Sequence, residues 1–260
     1  FNFKHGKGLL DIATLCRVSV DQFYGIEIDD AAAHIARVAL YITDHQLNTE
    51  AAARFGNTRA TVPLVHTPHI VCGNAVQTDW NTVLPASKCS YIISNPPFYG
   101  SSLQTKQQKE DMDYVYAGSA GTGVLDYVCC WYVKAEKYLE FNDKVECAFV
   151  STNSITQGEQ PALLWKGLLK AGIVINFAHR TFRWSNEGKG VAAVHCVIIG
   201  FSKHHRKVKK LYSYSDITAE PTLMIVSKIN AYLVEANDIL LEKRSRPICS
   251  YVQQMVYGSK

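Results

Sequence analysis

The sequence has no long hydrophobic run. Its longest apolar stretch, Val191 to Phe201, is broken by His195 and is about half the ~20 residues a membrane-spanning helix needs. The amino end, Phe1-Asn2-Phe3-Lys4-His5, has no apolar core of the signal-peptide kind. A soluble, cytoplasmic protein with no membrane partner is therefore expected. Paired cysteines are also missing: the eight cysteines, Cys16, Cys72, Cys89, Cys129, Cys130, Cys147, Cys196 and Cys249, contain no Cys-x-x-Cys. Several lie within apolar runs, which suits reduced, buried thiols rather than a disulfide framework or a zinc site. His66-Thr67-Pro68-His69 offers no metal pair either, because the proline breaks helical spacing and no cysteine or carboxylate pair stands nearby. Charge is scarce at 19% of residues, and a net charge of +4 is too small to announce a nucleic-acid partner.

What is present is a chain of 260 residues, 47% hydrophobic, enough for one large α/β core or two small domains. Positive charge is concentrated in Lys203-His204-His205-Arg206-Lys207-Val208-Lys209-Lys210 and in Lys243-Arg244-Ser245-Arg246. Each reads either as a solvated tip or linker, or as a track for phosphates. The chain opens at Phe1 and closes at Gly258-Ser259-Lys260, and it is expected to be a segment of a longer protein.

Taken in order, Phe1 to Val20 has helical spacing only at Leu9 to Leu15, without a strong cap. Phe23 to Ile28 reads as a strand, Asp29-Asp30 as a helix cap, and Ile35, Val38, Ala39 and Ile42 recur at helical spacing to about Leu47. A loop from Asn48 to Pro68 leads to a strand at His69 to Gly73, with Asn74-Ala75 as its exit, and Tyr91 to Ser94 is a third strand. Gln104 to Gly123 reads as a long functional or mobile loop. Then come a helix from Val124 to Leu139 with an aromatic stripe suited to core packing, a strand Val145 to Ser151, a helix Pro161 to Ala171 and a strand Ile173 to Ala178. Ala192 to Phe201 and Leu211 to Tyr214 are expected to form an antiparallel pair across the basic run, with a helix over Pro221 to Glu235. Strands alternating with helices indicate a mostly parallel sheet.

Ser94-Asn95-Pro96-Pro97-Phe98-Tyr99 carries the most pointed chemistry. Two prolines can continue neither strand nor helix, so the chain leaves the sheet there in a fixed turn. Asn95 then stands at a strand's carboxyl end, where open α/β sheets place ligands, with the Phe98 ring just beyond, or the motif is a plain loop opener. Glu27 ends its own strand and suits paired ribose hydroxyls, or reads equally as a solvated strand-end carboxylate. Asn74 suits a purine edge, or is a turn asparagine. These three strand ends are expected to form one line along the carboxyl edge of one sheet.

Gly25-Ile26-Glu27-Ile28-Asp29, Gly73-Asn74-Ala75 and Ser94-Asn95-Pro96-Pro97-Phe98 resemble motifs II, III and IV of the amino-methylating, S-adenosylmethionine-dependent DNA methyltransferases. The similarity continues through Leu125-Asp126-Tyr127-Val128, Phe149 to Gly158 and Phe177 to Trp184, and together these resemble the methylase portion of Type IIG restriction–modification enzymes, particularly the Type IIL group. It covers about Val18 to Lys203, and the motif order matches the gamma arrangement.

The resemblance implies a Rossmann-like class I methyltransferase fold: α/β, mostly parallel, with a carboxyl-terminal antiparallel hairpin and a truncated amino end. Residues 1–220 would form a partial catalytic domain, and 221–260 a helix and linker toward a target-recognition domain not present. It implies S-adenosylmethionine as cofactor, held by Glu27, Ile28, Asn74 and Ala75, and double-stranded DNA with a flipped adenine as partner. Asn95, Pro96, Pro97 and Phe98 would be catalytic: the Asn95 side-chain oxygen and the Pro96 carbonyl accept from the adenine N6 amine, and Phe98 stacks on the base. Phe182 or Trp184 would form the other wall, or plain core, and Arg180 and Arg183 would contact phosphates, or form surface ion pairs. The sequence departs from the family ahead of Gly25, where His5-Gly6-Lys7-Gly8 lacks the strand and acidic residue of the glycine-rich first motif. The rival readings are a catalytically incomplete DNA-binding or scaffolding module, and methylation of RNA or of a protein glutamine amide.

Overall fold

The computed structural model describes residues 17–55, 66–119, 121–184, 194–244 and 251. The expected Leu9 to Leu15 helix, His5 to Gly8, and Ser245 and Arg246 of the second basic cluster lie outside them. Two compact units emerge, residues 1–88 and 89–260.

The first unit is a parallel two-stranded sheet with one long helix. Strand β1 (Tyr24–Glu27) pairs with β2 (His69–Cys72), Glu27 facing Cys72. A Cβ at Gly25 would come 2.9 Å from Ile70 Cδ1, so any larger residue there obliges the end of the Ile70 side chain to shift. Asp29 caps helix α1 (Asp30–Phe55), its Oδ1 accepting from the Ala32 amide at 2.8 Å. The helix runs eight residues beyond the expected Leu47, because Glu50-Ala51-Ala52-Ala53-Arg54 are strong helix formers and Glu50 pairs with Arg54 one turn on. Its buried position is Ala33; the expected apolar stripe of Ile35, Val38 and Ile42 is exposed.

The second unit holds a six-stranded sheet in the order β3-β4-β6-β5-β7-β8, where β3 is Tyr91–Ser94, β4 Glu146–Thr152, β5 Val174–Trp184, β6 Val194–Ser202, β7 Lys209–Ser213 and β8 Thr222–Val226. Helices α2 (Lys106–Tyr116), α3 (Cys129–Leu139) and α4 (Gln160–Lys170) accompany it. Its core is aromatic. Tyr132 of α3 packs at ring-centroid distances of 5.2 Å from Phe149, 5.2 Å from Phe201 and 5.8 Å from Trp165, and its hydroxyl meets Ser151 Oγ at 2.8 Å. Burying each such ring contributes roughly 1.5–3 kcal/mol. The expected core role of the aromatic stripe is what the packing shows.

Five expectations are corrected. The sheet is mixed, not mostly parallel: β6 runs antiparallel between β4 and β5. Only nine residues, 185–193, link β5 to β6, fewer than the dozen a parallel crossover needs. Strands β6 and β7 do not pair; β5 lies between them, parallel to β7, and the terminal antiparallel pair is β7 with β8. The expected helix over Pro221 to Glu235 is strand β8 followed by turns, since Thr222-Leu223-Met224-Ile225-Val226 carries branched residues and completes the β7 ladder. Finally, the expected long loop contains α2, started by a reciprocal capping box between Thr105 and Gln108. Nor do the three strand ends share one sheet: Glu27 ends β1 and Asn74 lies just past β2, whereas Asn95 follows β3 of the second sheet.

Among the described residues no helix is long and apolar enough to cross a membrane. The six described cysteines are free thiols. Cys129, Cys130, Cys147 and Cys196 are buried as expected, while Cys72 is exposed. Burial pushes the Cys196 thiol up to about 11, which keeps it protonated and inert.

Candidate functional site

In the first unit, Glu27 is the exposed last residue of β1, and its carbonyl accepts from the Gly73 amide at 2.7 Å. Ile28, 74% exposed, presents an apolar surface beside that carboxylate. Asn74 leaves β2 in a tight turn: its Oδ1 accepts from the Val76 amide at 2.9 Å, and its carbonyl from the Thr78 amide at 2.9 Å. The Ala75 carbonyl is taken by Trp80 Nε1 at 2.9 Å. The four expected cofactor residues thus stand at the carboxyl ends of two paired strands, Glu27 and Ile28 on one exit and Asn74 and Ala75 on the other. His66 and His69 of the discounted metal motif are engaged separately, His66 Nδ1 lying 3.4 Å from Asp21 and His69 stacking on Tyr24 at 4.5 Å.

In the second unit, Asn95 and Pro97 are exposed, Pro96 is buried and Phe98 is half-buried. Strand β3 is fixed up to Ser94, which pairs with Phe149 of β4. The exit is fixed at Tyr99. The Tyr99 amide donates to Asp126 Oδ1 at 3.3 Å, while its carbonyl accepts from the Tyr127 amide at 2.9 Å and from Gln104 Nε2 at 3.1 Å. Gln104 also reaches the Leu125 carbonyl at 2.9 Å. Asp126, 3% exposed, accepts further from the Val128 amide and from Thr152 Oγ1, each at 3.1 Å, and its own amide donates to Gln160 Oε1 at 3.1 Å. Burial pushes the Asp126 carboxyl above its ordinary value, and the hydrogen bonds from Val128, Thr152 and Tyr99 oppose that rise.

Phe182, Trp184 and Arg180 lie toward the carboxyl end of β5. Strands β3, β4 and β5 run in one direction, so these residues share an edge of the sheet with Asn95. Two strands intervene, which at ordinary strand spacing is roughly 14 Å across the sheet. A register shift between His179 and Phe182 gathers an aromatic group there. His179 stacks on Tyr212 at 4.1 Å and 4° and meets the Tyr214 hydroxyl at 2.8 Å; Phe182 stacks on Tyr214 at 5.5 Å with Trp184 at 6.2 Å. Burial holds the His179 imidazole below its ordinary value. Arg180 is exposed, its Nη1 reaching Ser213 Oγ at 3.5 Å.

The basic run from Lys203 occupies the opposite edge, where β6 ends and β7 begins. Asn176 ties it down, Nδ2 donating to the His204 carbonyl at 2.9 Å, and Arg206 Nε reaches Glu146 at 2.9 Å. Sequence reasoning assigned no role to Asp126, Gln104 or Thr152. The usable signal was an aspartate set inside the apolar run Leu125-Asp126-Tyr127-Val128, where an unpartnered charge would be costly.

Residues 4–213 match the family described as MmeI, DNA-methyltransferase domain. The chain belongs to this family. As an MmeI-type methyltransferase domain it is 42% identical over 234 residues to DNA methyltransferase A of Bacillus subtilis (strain 168), which covers 89% of this chain and 26% of that protein. It is also similar to the Type IIL restriction-modification enzyme MmeI, solved in complex with DNA, with a TM-score of 0.88 and 52% identity over 94% of this chain and 33% of that one. The MmeI-type domain described by these residues therefore spans about a quarter to a third of the length of those relatives.

Proposed function

We propose that the complete protein methylates DNA at the N6 amine of an adenine turned out of the helix, using S-adenosylmethionine, as part of a restriction–modification system. The observation that carries this reading is the Asn95-Pro96-Pro97-Phe98 loop: an exposed amide, a buried proline and a half-buried ring leaving a parallel strand, held at Ser94 on one side and at Tyr99 on the other. Membership of the MmeI DNA-methyltransferase family and the likeness to an enzyme solved with DNA support DNA over RNA or a protein amide.

The adenine amine is a weak nucleophile because its lone pair is delocalised into the ring. Two acceptors on its hydrogens, Asn95 Oδ1 and the Pro96 carbonyl, favour a tetrahedral nitrogen whose lone pair is free to attack. The proline rings fix two backbone angles, so these dipoles are aimed before the base arrives. Phe98 supplies a stacking face worth roughly 1–3 kcal/mol, which offsets part of the cost of unstacking the base. Bound S-adenosylmethionine supplies the electrophilic methyl group. Glu27 and Ile28 would receive its ribose hydroxyls and adenine ring, with Asn74 and Ala75 shaping the neighbouring turn. Phe182 and Trp184 are proposed as an aromatic surface for DNA on the shared edge, with Arg180 beside them for phosphate. Residues 221–260 are proposed to lead toward a target-recognition region.

The test is Asn95→Ala in the full-length protein. Methyl transfer to DNA is expected to vanish while the circular-dichroism spectrum and melting temperature stay those of the parent. Retained transfer would refute the assignment of Asn95.

A further inference from the structure

Asp126 makes more contacts than a helix cap requires. Its bond from the Val128 amide is the ordinary turn ahead of α3. That role does not account for the bonds from the Tyr99 amide and the Thr152 hydroxyl, 27 and 26 residues away in sequence. One carboxylate thus joins three places: the residue after Phe98, the end of β4 and the entry to α3. The carbonyl of the same Tyr99 is held by the Tyr127 amide and by Gln104, so this residue is fastened on both its backbone polar groups.

We propose that Asp126 is a positioning residue for methyl transfer: its buried carboxylate clamps the exit of the Asn95–Phe98 loop at Tyr99 and so sets the acceptors and the stacking ring against the target amine. The inference rests on the methyl-transfer reading of that loop. Between the paired Ser94 and the clamped Tyr99 lie four residues, two of them prolines with φ already locked. Fixing both ends therefore removes most of the freedom left to Asn95 and Phe98. Freeing the Tyr99 amide leaves that end held by its carbonyl alone and restores part of that freedom, and a displacement of about 1 Å at a reacting group costs on the order of 100-fold in rate.

The role is geometric. Asp126→Asn keeps one oxygen to accept from the Tyr99 and Val128 amides and gives the Thr152 hydroxyl, which can turn, an N–H to accept. Asp126→Ala removes all three bonds to the carboxylate. In the full-length protein, Asp126→Ala is expected to slow single-turnover methyl transfer about 100-fold with KM for DNA unchanged. Asp126→Asn should restore most of the rate. Hydrogen exchange at the Tyr99 amide should quicken in Asp126→Ala and stay slow in Asp126→Asn. Gln104→Ala, outside the core, gives a smaller loss in the same direction and carries the test if Asp126→Ala does not fold.

Transfer at the parent's rate by Asp126→Ala, or by Gln104→Ala where that variant stands in, would overturn the positioning role, as would an Asp126→Asn as slow as Asp126→Ala. Unchanged exchange at Tyr99 would overturn the clamp whatever the activity. A parent protein that methylates no DNA would overturn the reading of the loop and the catalytic role of Asp126 with it, while the exchange difference would still establish the clamp.

Discussion

Asn95 is exposed at the tip of a loop whose next residue, Pro96, is buried. That contrast explains why Asn95→Ala should remove chemistry and spare the fold: the lost side chain packs against little, whereas the proline anchoring the loop is untouched. At this scale the sequence was legible where a residue type has few uses. Two adjacent prolines after an apolar run could only be an exit turn, and that exit lies at the end of β3 as expected. Asp126 was not legible, because its role comes from Tyr99 and Thr152, which spacing along the chain does not connect. Gly200 shows the same limit. A Cβ there would lie 2.0 to 2.6 Å from atoms of the Phe177 ring on the neighbouring strand. Gly200→Ala is therefore expected to destabilise the second unit by about 1–3 kcal/mol, read from denaturant unfolding, through overpacking against a ring held within the sheet. An unchanged midpoint would contradict that contact.

Strand β5 is the element on which expectation and structure differ most. The apolar run predicted a strand ending at Ala178, but pairing with β6 and β7 carries it to Trp184. Local apolarity signals burial, and the outer half of β5 is only half-buried or exposed, so its sequence gave little strand signal. The β6 and β7 segments were each recognisable, yet their non-adjacency was not, because β5 inserts between them by long-range pairing. Helix α2 was announced by Thr105 and Gln108 at capping-box spacing, a signal hidden by the polar composition around it. The aromatic group on β5 and β7 has a pH signature. Burial holds His179 below its ordinary value near ~6.5, so on acidification the unfolded chain takes the proton first, and stability present above that value falls as pH drops. Melting temperature should therefore fall more between about pH 7.5 and pH 5 for the parent than for His179→Gln. Parallel pH profiles would count against a half-buried imidazole held below its ordinary value at this position.

At the scale of the whole molecule, the expected residues divide between the two units, those for the cofactor in the first and those for the base in the second. The alternation of strand and helix patterns made an α/β protein legible, and the strand-end motifs made the family legible, because both depend on short local patterns. The mixed sheet was not legible, since strand direction follows from connection lengths and pairing partners. The chain spans 26% and 33% of the length of the relatives it matches, so the proposed reaction is tested in the full-length protein. The most direct test incubates that full-length protein with DNA and methyl-labelled S-adenosylmethionine, digests the DNA to nucleosides and identifies the labelled one. The proposed chemistry at Asn95 yields N6-methyladenine, absent with Asn95→Ala; label in a methylated cytosine, or in no nucleoside at all, would contradict it.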